Sequence, residues 1–183
     1  YGGSKPLLST NPISIGVPAG KEPPMVLDFA TTTAAQSKVT IALRQGKQLP
    51  DGLIIDKLGS PSTKPADLFD GGSLLPFGGH KGSAIAMMVE LLAGALVGET
   101  FSYETAAKDN NDGGPPRGGE FILAISPEKI AGTDWEKHSD DFFKKMLSMD
   151  GVRLPGERRH NNRLDKGPRK INKELVEKIK KLS

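Results

Sequence analysis

Apolar residues along the chain fall into short runs that glycine, proline and polar residues separate. The run PMVLDFA at 24–30 predicts a buried strand. Thr33 and Gln36 have the spacing of a capping box, which predicts a helix over 34–44. Residues 48–72 are rich in proline, glycine, aspartate and serine, so they predict a long loop of the kind that often carries function.

The longest apolar run extends from Ser83 to Val97 and predicts a helix that ends at Gly98. A glycine-rich turn at 75–82 leads directly into it. Because the run contains Glu90 and is too short to span a bilayer, we expect a buried helix and no membrane segment.

Beyond this helix the pattern predicts a polar loop at 109–119, a short strand at 121–126 and two amphipathic helices. The first follows a capping-box spacing that starts at Thr133, and its predicted apolar face consists of Trp135, His138, Phe142, Met146 and Met149. The second starts near Asn172, and its predicted buried side consists of Ile171, Leu175, Ile179 and Leu182. Together, these elements predict an α/β (α+β) fold with a mixed sheet flanked by helices.

Composition argues against several kinds of site. The chain has no cysteine, which excludes disulfides, thiolate nucleophiles and cysteine-based zinc sites and agrees with a cytoplasmic location. No pair among the three histidines has the spacing of a helical metal site, so we predict no metal. The sequence opens at Tyr1 with neither an initiator methionine nor a leader, and we expect it to be part of a larger protein.

Positive charge is concentrated at the C-terminal end. Residues 151–183 contain 11 Lys and Arg against 4 Asp and Glu, whereas the whole chain has a net charge of +3. A basic tail can bind nucleic acid, but here no aromatic residues are interleaved with the charges and no nucleic-acid-binding motif is present. We therefore expect a solvated basic face beside a phosphate-bearing ligand, and no nucleic-acid partner.

The sequence GGHKG at 78–82 gives the clearest chemical signal. Glycines allow backbone amides to approach a ligand, and the start of a helix presents unpaired N–H groups and a positive dipole end. Lys81 adds a full positive charge, so the segment predicts a site for a phosphate or a carboxylate. Its spacing differs from that of a P-loop, and the common dinucleotide-binding fingerprint is absent from the sequence.

Other polar residues admit two interpretations. Asp28 lies at the end of a predicted strand, where α/β folds collect ligands, so it either contacts a ligand or caps the following helix. His80 adjoins Lys81 and is either a ligand contact or a general acid. The segment LPGER at 154–158 has, from its residues alone, the features of an ordinary proline-glycine turn.

Four segments of the chain stand out when they are taken in order: STNPI at 9–13, VLDFAT at 26–31, LPFGGHKG with VELLAG at 75–94, and LPGE at 154–157. Together they resemble the type-2 malate/L-lactate dehydrogenase family, which includes sulfolactate, ureidoglycolate and diketogulonate dehydrogenases and a cyclic-imine reductase. The resemblance implies a non-Rossmann fold and hydride transfer between NAD or NADP and a small 2-hydroxy or 2-oxo acid. It also implies a homodimer with a small-molecule substrate.

The resemblance further implies roles for individual residues. Cofactor contacts are implied for Asp28, Phe29, Ala30, His80, Lys81, Gly156 and Glu157. The cofactor-binding domain is expected at 1–150, with a C-terminal turn and helix at 151–183 that pack on an N-terminal domain outside this sequence. Candidates for holding a substrate carboxylate are Arg44, Arg117 and Arg153, because a guanidinium presents a fork of donors.

Two departures from the family pattern limit what the resemblance implies. Many members have tyrosine after the Lys-Gly pair, where this chain has Ser83, so the identity of the substrate does not follow from the resemblance. The family's catalytic histidine lies in a Ser-His-Gly context that this sequence lacks; we expect it upstream of Tyr1 and do not assign the role to His80. The alternative is a non-catalytic module that binds a cofactor or an anion.

Overall fold

The computed structural model describes residues 2–20, 22–109 and 117–182. The chain divides into two compact units. The first comprises Tyr1–Gly16 and Leu27–Trp135, and the second comprises Val17–Val26 and Glu136–Ser183. Most of the predicted polar loop at 109–119 lies outside the described residues.

Small sheets and helices alternate along the chain. Strands β1 (Ile13–Ala19) and β2 (Glu22–Phe29) pair in a two-stranded sheet. Next come α1 (Gln36–Arg44), β3 (Ile54–Ile55), β4 (Pro61–Ser62), α2 (Pro65–Phe69), β5 (Ser73–Leu74), α3 (His80–Ala93), a 3₁₀ turn (Ala95–Val97) and α4 (Ser102–Ala107). The remaining helices are α5 (Pro127–Ala131), α6 (Trp135–Leu147), α7 (Glu157–Leu164) and α8 (Lys173–Lys180).

The core of the first unit is built on the central strand of a three-stranded sheet. Ile54 of β3 lies opposite Ser62 on one side and Leu74 on the other, and both pairings are antiparallel. Its side chain is 0% exposed and belongs to one apolar cluster with Val39 of α1 and Leu49. The described residues therefore form two small sheets flanked by helices, where the sequence predicted one mixed sheet. Short strands joined by short connections pair antiparallel.

Two predictions about the first half were wrong in detail. The predicted loop at 48–72 contains β3, β4 and α2. The predicted capping box does not form, since α1 begins at Gln36 and its N-cap, Ala35, has no side-chain cap hydrogen bond. Instead, the Thr33 hydroxyl lies within hydrogen-bond distance of the carbonyl oxygens of Leu53 and Leu75, at 3.1 and 3.2 Å. It therefore joins two neighbouring backbone segments and does not cap α1.

Helix α3 starts within the predicted segment but is buried on one side only. Its buried residues are Gly82, Ser83 and Ala86, whereas Met87 is 51% exposed. The segment His80–Val97, with 18 residues and a mean hydropathy of 1.3, is long and apolar enough to cross a membrane, so the expectation from its length was wrong. A single such helix is weak evidence for a membrane, since core helices of soluble proteins meet the same criterion.

The predicted strand at 121–126 does not form. Residues 117–126 have no regular secondary structure, and Ile122 and Leu123 are 83% and 69% exposed. A strand needs a partner for its backbone N–H and C=O groups, and no described strand pairs with this segment. An apolar pattern reveals the tendency to form a strand but not the presence of a neighbour.

The two predicted amphipathic helices, α6 and α8, form where the sequence predicted, but their predicted apolar faces are more exposed than expected. In α6 the buried residue is Phe143, whereas Phe142, on the predicted apolar face, is 60% exposed. In α8 the Asn172 side chain accepts a hydrogen bond from the Leu175 amide at 3.1 Å, which confirms the predicted start. The predicted buried side of α8 is exposed, because the described part of the chain does not cover Ile171, Leu175, Ile179 and Leu182.

Candidate functional site

The end of β2 is joined directly to the turn that starts α3. The Phe77 amide donates to the carbonyl oxygen of Thr31 at 3.1 Å, and the Thr33 amide donates to that of Leu75 at 2.8 Å. The rings of Phe29 and Phe77 meet edge to face, with centroids 5.2 Å apart. The structure thus brings the strand end at 28–30 to the loop that immediately precedes His80 and Lys81.

Glycine is required at the start of α3 by the close approach of the preceding turn. A Cβ atom on Gly82 would collide with the backbone carbonyl oxygen of Phe77 and would lie 3.1 Å from the Phe77 ring. The N-cap residue, Gly79, provides no side-chain acceptor for the first amides of the helix. The positive end of the helix therefore has no side-chain cap, although the Lys81 amide donates to the carbonyl oxygen of Gly78 at 3.3 Å.

Lys81 is exposed and lies in the first turn of α3. Its ammonium group makes no hydrogen bond or ion pair with any residue that the structure describes. A lysine is unfavourable beside the positive end of a helix dipole, and a bound phosphate or carboxylate would remove that conflict. The charge of Lys81 and the positive end of the helix therefore lie together, and both suit an anion such as a phosphate.

The other predicted residues of the first unit lie beside this helix start with different exposure. Asp28 and His80 are exposed, whereas Phe29 and Ala30 are partly buried. Asp28 is not the cap of the following helix, because the N-cap of α1 is Ala35. Asp28 interacts with another group instead, and its contact with a ligand stays a prediction.

The turn at 154–157 lies in the second unit and packs on β2. The amide of Val26 donates to the carbonyl oxygen of Pro155 at 3.1 Å. Gly156 has a φ of 91°, and a Cβ atom there would lie 3.1 Å from the backbone nitrogen and oxygen of Val26. Glu157 is partly buried and begins α7, and His160 of α7 forms a hydrogen bond with Pro24 O at 2.9 Å. Glycine therefore suits this turn in two ways, since it accepts the positive φ and avoids the tight contact with Val26.

An open cleft of about 1110 Å³ in the first unit runs along one side of α3. Its wall includes Thr31, Thr32 and Ser83, but none of the residues predicted to contact a cofactor. Thr31 is 1% exposed and was not singled out from the sequence, because burial of a threonine depends on contacts distant in the chain.

The three arginines considered for a substrate carboxylate are all exposed: Arg44, Arg117 and Arg153. Arg117 lines a second cleft of the first unit, whose wall also includes Asn11 and Glu90. Asn11 and Glu90 form a partly buried hydrogen bond across 79 residues of sequence, which no local pattern could have revealed.

Comparison with known proteins identifies the family of this chain. Residues 1–180 match the family model described as malate/L-lactate dehydrogenase. The chain is 44% identical over 163 residues to a Delta(1)-pyrroline-2-carboxylate/Delta(1)-piperideine-2-carboxylate reductase of Pseudomonas putida, which covers 89% of this chain and 48% of the relative. It is 36% identical to a (2R)-3-sulfolactate dehydrogenase (NADP(+)) of Chromohalobacter salexigens, over 91% of this chain and 50% of that protein.

A solved structure of a similar reductase shares the fold of this chain. The crystal structure of delta1-piperideine-2-carboxylate reductase from Pseudomonas syringae superposes with a TM-score of 0.88 at 38% identity, and the match covers 100% of this chain and 56% of that one. The chain spans about half the length of the curated relatives that it matches. On the family model and these relatives together, the chain belongs to the malate/L-lactate dehydrogenase family.

Proposed function

We propose that this chain is the cofactor-binding part of an NAD(P)-dependent oxidoreductase that transfers a hydride between NAD or NADP and a small acid. The observation that carries this proposal is the uncapped start of α3, where Lys81 has no protein partner among the described residues and the strand end at 28–30 adjoins. Family membership and the reductase and dehydrogenase names of the relatives support the same activity.

In this proposal the chain's own residues bind and orient the dinucleotide. The ammonium group of Lys81 and the positive end of α3 hold its phosphate, because a full charge and the helix dipole both favour an anion there. Asp28, Phe29 and Ala30 line the nucleotide at the strand end, beside His80. The family resemblance assigns Gly156 and Glu157 to the same ligand, and we retain that assignment. When bound, the nicotinamide would donate or accept the hydride.

The substrate in this proposal carries a carboxylate next to the carbon that receives the hydride. A 2-hydroxy or 2-oxo acid of the malate or lactate type fits this description. The cyclic imines named for the relatives, pyrroline-2-carboxylate and piperideine-2-carboxylate, share the same feature, with C=N in place of C=O. We assign no proton donor among residues 1–183, since an exposed histidine at residue 80 beside the cofactor phosphate is badly placed to protonate a substrate.

The organisation proposed for the chain follows the same family pattern. We propose a cofactor-binding domain at 1–150 with a non-Rossmann fold, followed by the turn and helices at 151–183. We also propose a cytoplasmic homodimer. These points are tested by sedimentation of the protein, by cell fractionation and by a structure with the dinucleotide bound.

The test of the function is the variant Lys81→Ala, with Lys64→Ala as its matched control. Lys64 is also an exposed lysine at the start of a helix of the first unit, α2, and it takes no part in the backbone hydrogen bonds that join the strand end to the turn before α3. We expect Lys81→Ala to raise the Kd for NADPH about tenfold, the effect of losing one charge-assisted contact, with the melting temperature unchanged. Lys64→Ala should leave both quantities unchanged.

Titration of the unaltered protein with NADPH and NADH, followed by nicotinamide fluorescence, decides which cofactor binds. Oxidation of the bound form is then measured with 2-oxo acids and with the two cyclic imines. An unchanged Kd in Lys81→Ala would remove this lysine from the site. Turnover is measured with the full-length protein, since no proton donor is assigned among residues 1–183. Binding of NADPH or NADH without turnover of any of these acids by the full-length protein would favour the alternative, a non-catalytic module that binds a cofactor or an anion.

A further inference from the structure

Asn11 is held against the body of α3 in a conformation that few residues adopt. It is 6% exposed and has a φ of 35°, the one positive φ outside glycine among the described residues. Asparagine tolerates this left-handed region better than most side chains. Both protons of its amide nitrogen are used, because Nδ2 donates to the carbonyl oxygen of Ala86 at 3.0 Å and to Glu90 Oε1 at 2.8 Å.

Glu90 accepts several hydrogen bonds in this partly buried place. Its Oε2 accepts from the amide of Ser102 at 2.9 Å, and its Oε1 lies within hydrogen-bond distance of the Ser102 hydroxyl as well as of Asn11. Hydrogen bonds to a carboxylate are stronger than neutral ones and fix its rotamer. Glu90 therefore fixes Asn11 and the start of α4 to the same turn of α3.

The residue before Asn11 continues this connection to the candidate site. The carbonyl oxygen of Thr10 accepts from the amide of Thr31 at 2.9 Å and from its hydroxyl at 3.0 Å. The carbonyl oxygen of Thr31 accepts in turn from the amide of Phe77 in the turn before α3. A chain of hydrogen bonds thus links Glu90 of α3, through residues 10 and 11, to the end of β2 and from there to the turn before the same helix.

We propose that Glu90 is a positioning residue for cofactor binding. By holding Asn11 in its left-handed conformation, it sets the position of Thr10 and Thr31, and thereby the position of the strand end relative to Lys81. Glu90 acts through these residues and does not touch the cofactor. This proposal rests on the proposed function, in which the strand end and Lys81 contact the dinucleotide.

The test exchanges donor and acceptor across the contact between residues 11 and 90. Glu90→Gln leaves one acceptor oxygen for the donors of Asn11 and Ser102, and Asn11→Asp places two carboxylates side by side. In the double variant, glutamine at 90 donates to aspartate at 11 and its oxygen still accepts from the Ser102 amide. Aspartate at 11 also loses the hydrogen bond to the carbonyl oxygen of Ala86, which the change at residue 90 does not restore. We therefore expect each single change to raise the Kd for NADPH about tenfold and the double variant to bind NADPH more tightly than either single variant.

The matched control is Glu104→Gln, the same substitution on the neighbouring helix. Glu104 Oε2 accepts from the amide of Phe101 at 2.8 Å at the start of α4, outside the path to the strand end. This variant should lower the melting temperature without changing the Kd, which separates a structural role from a positioning role. If Asn11→Asp fails to fold, Asn11→Gly serves in its place, since glycine accepts the positive φ and removes only the side chain.

Each result decides the proposal. A raised Kd in the single variants together with recovery in the double variant supports it. An unchanged Kd for NADPH in folded Glu90→Gln overturns it, and so does a double variant whose Kd is no lower than those of the single variants. In either case, NADPH binding by the unaltered protein leaves the proposed function standing. Failure of the unaltered protein to bind either NADPH or NADH overturns the proposed function, and this proposal with it.

Discussion

The contact between the turn at Gly156 and strand β2 can be measured with a pair of glycine substitutions. Gly156 and Gly151 lie in the same unit, and both have positive φ, 91° and 75°. A Cβ atom on Gly151 would meet nothing within 4 Å, whereas on Gly156 it would lie 3.1 Å from two backbone atoms of Val26. The variants Gly151→Ala and Gly156→Ala therefore share the backbone strain and differ in the contact with Val26.

The magnitude follows from these two terms. Alanine in the left-handed region costs about 1–2 kcal/mol, offset by about 0.4–1 kcal/mol from the less flexible unfolded chain. Gly151→Ala should thus lower the free energy of unfolding by about 1 kcal/mol. In Gly156→Ala the turn must also move by a few tenths of an ångström, which weakens the hydrogen bond from Val26 to Pro155 and costs a further 0.5–1.5 kcal/mol, roughly.

The assay is thermal unfolding of both variants by circular dichroism under identical conditions. At about 2–4 °C per kcal/mol for a chain of this size, Gly156→Ala should melt about 1–6 °C below Gly151→Ala. If Gly156 also belongs to the proposed cofactor site, the Kd for NADPH should rise in Gly156→Ala alone. Equal melting temperatures for the two variants would refute the importance of the contact with Val26.

Two further predictions concern stability and protonation. Ile54→Ala should lower the free energy of unfolding, measured by chemical denaturation, by about 2–5 kcal/mol, because Ile54 is 0% exposed. The control Leu58→Ala should change it by less than about 0.5 kcal/mol, because Leu58 is 82% exposed. Similar losses in both variants would contradict the assigned core. Hydrogen bonds from the Gly167 amide, the larger cause, and from Arg169 hold the pKa of Asp165 below its ordinary value of 3.8. The ionised carboxylate therefore stabilises the folded state above pH 3.8, and this contribution is lost as the pH falls through the lowered pKa. NMR titration of Arg169→Ala should leave the pKa of Asp165 below 3.8, because the larger cause remains, and a return to 3.8 would assign the effect to Arg169 alone.

Local sequence patterns were sufficient for elements whose signals lie within one turn or one strand. The strand that ends near residue 29 forms, and α3 starts inside the segment predicted from its glycines. The start of α8 was also predicted, because Asn172 is a cap that bonds an amide only three residues away. Each of these signals depends on neighbours in the chain, which the sequence lists directly.

Other features depended on partners that the sequence does not list. The capping role expected of Thr33 is replaced by contacts with Leu53 and Leu75, and the apolar segment at 121–126 forms no strand because no described strand lies beside it. In both cases the local preference is genuine, but a competing or missing tertiary contact decides the outcome.

By itself the sequence determined the family, the glycine-framed lysine at residue 81 and the elements β2, α1, α3, α6 and α8. Only the tertiary structure decided that the end of β2 adjoins the turn before α3, and that Asn11 and Glu90 meet across 79 residues. The physical reason is that a turn or a cap is stabilised by adjacent residues, whereas a hydrogen bond between distant residues exists only once the chain has folded around it.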